Sequence, residues 1–229
     1  MMRYQYIPIK RNFTSRGKTP IEYIVIHDTG NTGRGANALN HKNYVENNTR
    51  GASAHYFVDD TGIIQYVGDS KAAGAVGDGH GKYGIKNSNS ISIEICINSD
   101  GDYPKAYKNA VELTKNLMTK FKIPPAKVVR HYDASRKICP GHMQGDNWAR
   151  WWKFKKDIEK PIEWQIDLTK NSEFGDDNMS EDKPSVWAEK AWSWAKDKGL
   201  TDGTNPQGTC TREQLITILY RALADKEPT

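Results

Sequence analysis

The rhythm of hydrophobic and polar positions changes several times along the chain, and each change marks an element. Residues 22–27 are a short β-branched run closed by the turn-forming stretch 28–35, which predicts a buried strand that hands His27 to a loop. Residues 37–48 have helical spacing, and residues 54–58 and 63–67 flank Asp59-Asp60-Thr61-Gly62 as the two arms of a hairpin. A long glycine-rich loop follows over 68–89. Residues 90–98 alternate strictly, with Ile91, Ile93, Ile95 and Ile97 on one face and Ser92, Glu94 and Cys96 on the other. One face is core; the other has to account for a carboxylate in mid-strand. Residues 104–122 place Ala106, Ala110, Val111, Leu113, Leu117, Met118 and Phe121 near a 3.6-residue period, which predicts an amphipathic helix stopped by Pro124-Pro125. Residues 128–131 predict a second short strand that delivers His131 to a loop, and residues 148–159 a basic, tryptophan-rich helix.

Strands alternating with helices make the first 160 residues an α/β domain, a mixed central β-sheet flanked by helices. Residues 161–184 lose periodicity and turn polar and acidic, the pattern of a linker. Residues 185–229 predict a small all-α helix-loop-helix module. Trp187, Ala191, Trp194 and Ala195 share one helical face ahead of a cap at Gly199, and the capping box Thr211-Arg212-Glu213-Gln214 opens a second helix carrying Leu215, Ile218, Leu219 and Leu223.

Composition narrows the class. With 37% hydrophobic and 27% charged residues and no apolar run near the ~20 needed to span a bilayer, the 229-residue chain reads as a soluble globular protein with no membrane partner. Its first ten residues lack the apolar core of a secretory signal, so synthesis in a cytoplasm is expected, and action outside the cell then requires release by another protein. Cys96, Cys139 and Cys210 are an odd set without framework spacing, better read as buried thiols or a thiolate ligand than as a disulfide scaffold. Residues 1–160 carry 25 Lys and Arg against 15 Asp and Glu, and residues 161–229 carry 8 against 13. A basic body suggests an anionic partner, nucleic acid or a bacterial wall, although lysine as a common solubilising residue explains the excess equally well. No nucleic-acid readout motif accompanies the charge, so no nucleic-acid partner is expected.

Three side chains suit a catalytic metal: His27 and His131 at strand ends and Cys139 in the loop beyond, since such a site takes three imidazole or thiolate ligands and keeps a fourth position open. On spacing alone the two histidines read more readily as ordinary buried ones. Of the other histidines, His41, His55 and His142 read as structural or exposed; Cys96 reads as a small core residue, and Trp148, Trp151 and Trp152 as core rather than a sugar platform.

Ile24-Val25-Ile26-His27 with Thr29, Arg130-His131-Tyr132-Asp133 and Lys137-Ile138-Cys139-Pro140-Gly141 resemble the signature stretches of the type 2 zinc N-acetylmuramoyl-L-alanine amidases, which include phage endolysins, bacterial autolysins and peptidoglycan recognition proteins. The resemblance continues through Ser53-Ala54-His55-Tyr56-Phe57-Val58-Asp59, Gly77-Asp78-Gly79 and Asn89-Ser90-Ile91-Ser92-Ile93-Glu94 and covers roughly residues 20–155. It implies Zn2+ held by His27, His131 and Cys139, Glu94 as general base and Lys137 as oxyanion stabiliser. The implied substrate is peptidoglycan, cut between the muramic acid lactyl group and the first L-alanine, with Thr29, Asp78 and His80 as candidate substrate contacts. Two departures stand out: Ala54 replaces a tyrosine that some relatives carry, which leaves the proton work to Glu94, and Gly74-Ala75 replace a Trp-His pair. The C-terminal module resembles a single S-layer-homology motif, which implies contact with a secondary cell-wall polymer or a homodimer through residues 185–229. A phage or prophage endolysin released to the wall through a holin-type pore is the reading that results; a bacterial autolysin and a non-catalytic peptidoglycan-binding module are the alternatives.

Overall fold

The computed structural model describes residues 3–168 and 189–201. The chain divides into two compact units, residues 1–174 and 175–229. In the first, the strands are β1 (Arg3–Tyr6), β2 (Phe13–Ser15), β3 (Tyr23–Asp28), β4 (Tyr56–Val58), β5 (Gly62–Gln65), β6 (Lys71–Ala73), β7 (Ser90–Ile95) and β8 (Val128–Arg130). The helices are α1 (His41–Asn47), α2 (Tyr103–Phe121), α3 (His131–Ser135) and α4 (Gly145–Ile158). Six strands form a mixed sheet in the order β1-β5-β4-β7-β3-β8, in which only the β4–β5 hairpin is antiparallel. The α/β reading of the sequence holds, and β2 and β6 form a separate two-stranded ribbon.

The strict alternation of β7 explains the layering. Ile91, Ile93 and Ile95 join Ile24 and Ile26 of β3 and meet Ala110, Leu113 and Leu117 of α2 and Trp151, Phe154 and Ile158 of α4 in one buried cluster. Helix α2 forms where the periodicity predicts. Asp102 caps its first turn by accepting the Lys105 N–H at 3.1 Å, and Lys122 closes it in a left-handed conformation (φ 53°) ahead of the two prolines.

Several expectations shift. The helix predicted over 37–48 shortens to α1, and the 68–89 loop contains β6. His131 does not enter a loop but begins α3. Asp146, Asn147 and Trp148 have left-handed backbones, so α4 runs regularly only from Ala149. Trp151 is core, whereas Trp152 is 53% exposed. Residues 161–168, expected within the linker, are fastened to α2. The buried Glu112 carboxylate, paired with Lys115 at 2.6 Å, accepts the N–H groups of Glu163 and Trp164, while Lys115 donates to the Pro161 carbonyl and Asn116 bonds the backbone of Trp164 and Ile166. Glu112 and Lys115, charged residues within the period of the helix, are therefore not a solvated face.

In the second unit α5 (Glu189–Asp197) ends as predicted, with Gly199 left-handed (φ 65°) and the Leu200 N–H on the Ala195 carbonyl. Trp194 is 51% exposed on it. Trp187, Cys210, the capping box at Thr211 and the second helix lie outside the described residues. Among the described residues no helix is long and apolar enough to cross a membrane.

Candidate metal centre

Strand register brings the site together. In β3 and β7, His27 is paired with Glu94, and in β7 and β4, Glu94 is paired with Phe57, so the three form one row across the sheet. Parallel pairing of β3 with β8 sets Ile26 opposite Arg130, so His27 and His131 are the next residues of adjacent strands. Their ring centroids lie 4.7 Å apart. Beyond α3 the chain doubles back: the Tyr132 N–H donates to the Cys139 carbonyl at 3.0 Å, and Cys139 Sγ comes within 3.7 Å of His27 Nδ1. One ligand atom from each of His27, His131 and Cys139, all buried, falls within 4.8 Å of the others. A tetrahedral ion with the usual Zn–N and Zn–S bond lengths separates its ligand atoms by about 3.4–3.6 Å, so these side chains need little movement to hold one.

The buried atoms left without protein partners point the same way. His131 Nδ1, His27 Nε2, Glu94 Oε2 and Thr29 Oγ1 are buried and unbonded. Such a group ordinarily costs about 1–3 kcal/mol, and four around one cleft mark a place built for something else to bind. Burial, reinforced by His131 and Lys137, holds His27 neutral, and burial also lowers the His131 pKa against the pull of Asp78. Burial and the Glu94 charge push the Cys139 thiol up, an obstacle that a cation removes. Burial, with Asp28 adding to it and Lys137 opposing, raises Glu94 to about 8. Its side chain is still 20% exposed, with Oε1 4.0 Å from His27 Nδ1.

These groups line a cleft of about 200 Å³ that Lys137, Thr29, Asp28, His41 and Tyr44 also border. A larger groove of about 540 Å³ adjoins it through Thr29, His41 and Tyr44 and runs past Asn31 and Arg34. Another hollow, about 710 Å³ between α2 and α4, holds none of the three candidate ligands. Of the expected substrate contacts, Thr29 lines the cleft, His80 is exposed and outside its lining, and Asp78 lies against His131, Oδ1 to Nε2 2.8 Å. Gly74, at the Trp-His departure, is pressed on the backbone of Gly51, where a Cβ would stand 2.0 Å from the carbonyl oxygen. Asp28 was missed from the sequence: its carboxylate accepts the His142 N–H at 2.6 Å and pins the turn after Cys139. Its position directly after His27 was the available signal.

A parallel sheet edge that delivers two imidazoles and a thiol to one buried point, with a carboxylate beside them, is the outline of a metal-dependent hydrolase. The profile of the N-acetylmuramoyl-L-alanine amidase family matches residues 17–142, over half of the chain, and the chain belongs to that family. It is 41% identical over 144 residues to N-acetylmuramoyl-L-alanine amidase XlyA of Bacillus subtilis (strain 168), a match covering 62% of this chain and 47% of the relative. To amidase CwlH of the same organism it is 37% identical over 147 residues, covering 64% and 58%. The chain thus spans about half the length of these relatives. The solved catalytic domain of XlyA superposes with a TM-score of 0.59 at 37% identity, covering 69% of this chain and 99% of that one.

Proposed function

We propose that the chain is a zinc-dependent N-acetylmuramoyl-L-alanine amidase of endolysin type, hydrolysing the lactyl-amide bond between muramic acid and the first L-alanine of peptidoglycan. The observation that carries this reading is the buried triad of His27, His131 and Cys139 with Glu94 at its rim. Those three residues would hold the zinc, which when bound supplies Lewis-acid polarisation and acidifies water at that point. Glu94 takes a proton from the attacking water and returns it to the departing alanine nitrogen, a role supported by its place beside the three ligands, with Oε1 4.0 Å from His27 Nδ1. Lys137, on the cleft wall, places its ammonium beside the oxyanion that develops on the carbonyl. Thr29 Oγ1, buried and unbonded, is left to meet the substrate. Catalysis belongs to residues 1–160, and the acidic residues beyond connect it to a module, 185–229, that contacts wall polymer or a second copy of the chain.

Purified protein incubated with cell walls is expected to release new L-alanine amino termini, to stop after exhaustive chelation, and to resume on addition of zinc. Undiminished release from metal-free protein would overturn the assignment.

A further inference from the structure

Gly77-Asp78-Gly79 forms a tight turn that ends with His80 in the left-handed region (φ 49°). The flank before it is tied down: Asn87 Oδ1 accepts the N–H groups of Ala75 and Val76 at 3.1 and 2.8 Å, and Val76 is buried. Gly79 sits so close to α3 that a Cβ would lie 2.1 Å from the Ala134 carbonyl oxygen. No residue with a side chain fits there, and the close approach aims the Asp78 carboxylate at the start of α3. One oxygen is 2.8 Å from His131 Nε2, and the other accepts the Ser135 hydroxyl at 3.1 Å, one turn along the same helix. Ser135 Oγ in turn accepts the Lys137 N–H at 3.2 Å.

This contact is not explained as a stabilising ion pair. Asp78 is 47% exposed, and an ion pair that open to solvent contributes little to stability. What it does decide is which imidazole nitrogen carries the proton. With Nε2–H donating to Asp78, the lone pair sits on Nδ1, the nitrogen that is buried and without a protein partner.

We infer that Asp78 is a positioning residue rather than a substrate contact: it fixes His131 in the Nε2–H tautomer, aims Nδ1 at the metal and raises its basicity. The inference rests on the metal-holding reading above and assigns to Gly79 the job of bringing the carboxylate close enough.

The test uses the full chain and three readouts: zinc affinity by competition with a chromophoric chelator, the His131 tautomer in metal-free protein by 15N NMR, and kcat and KM on wall fragments at saturating zinc. D78A is expected to weaken zinc binding by about 10–100-fold and to populate the Nδ1–H tautomer. D78N, which keeps an acceptor for Nε2–H, is expected to retain the tautomer and fall between. G79A, which forces the turn off α3, is expected to lose affinity with Asp78 still present. Parental zinc affinity and tautomer in D78A overturn the inference, and so does a raised KM with zinc affinity unchanged, the mark of a substrate contact. If the parent protein itself binds no zinc, the metal-holding reading falls first, and the D78A comparison is not what decides it.

Discussion

On the face of the sheet turned towards α2, Ile24, Ile26, Ile91, Ile93 and Ile95 are fully buried among apolar partners; from the same two strands, at the alternate positions, Val25, His27, Ser92 and Glu94 face the other way. Burial of each isoleucine contributes about 1.5–3 kcal/mol, while each unpartnered polar atom in the cleft costs about 1–3 kcal/mol. The two terms are of similar size and opposite sign and come from neighbouring residues of one strand. Strength on one side is what lets the other keep lone pairs that nothing in the protein satisfies.

Substitutions can break this contrast. The largest effect is expected from Glu94→Gln, which preserves shape but removes the proton acceptor: turnover on cell walls should fall by about 10²–10⁴-fold, with zinc stoichiometry retained. Turnover within a few-fold of the parent protein would move the proton work to another group. On the opposite face, Leu113→Ala leaves a hole in a fully buried cluster and should cost about 2–5 kcal/mol of unfolding free energy, with the specific activity of the folded fraction unchanged. A comparable loss of specific activity would show that the faces are not separable.

The pH dependence of stability sharpens the comparison further. His55 is buried on the polar side, its Nδ1 accepting the Ser92 N–H at 3.0 Å, and burial lowers its pKa from 6.5 to about 4. With Nδ1 an acceptor, Nε2–H donates to the Lys71 carbonyl, and the nearby Arg16 is satisfied by carbonyls, including those of Lys71 and Ser90. Because the unfolded chain takes up the proton first, stability is complete above pH ~6.5 and declines as pH falls towards 4, by up to about 3 kcal/mol. Denaturant titrations of the parent and His55→Gln between pH 7 and 4 measure it; equal slopes in the two proteins would assign the loss to other groups.

What could be read from the sequence follows from how local each signal is. The alternation of 90–95 and the period of 104–121 repeat over several residues, and both elements stand where they were expected. β1 and β2 were not anticipated, because strands of four and three residues with mixed polarity leave no periodic trace; β1 exists only because β5 offers it a parallel partner. Glu112 and Lys115 escaped notice since their partners are backbone groups some fifty residues away. The candidate ligands stood out by residue type, but what joins His27 to His131 is strand register, which spacing along a chain does not encode. Asp78 was singled out for its motif, while its partner became visible only once the turn was seen against α3.

The pairing of His27 with Glu94 has a consequence for how faulty copies behave. Side chains alternate along a strand, so a slip of one position would turn isoleucines into the polar cleft and carry the imidazole into hydrocarbon. A misaligned molecule could not settle into a compact but inert form, because the error that disarms it also unfolds it. Any chain that survives proofreading by its own stability therefore arrives with its reactive groups in line.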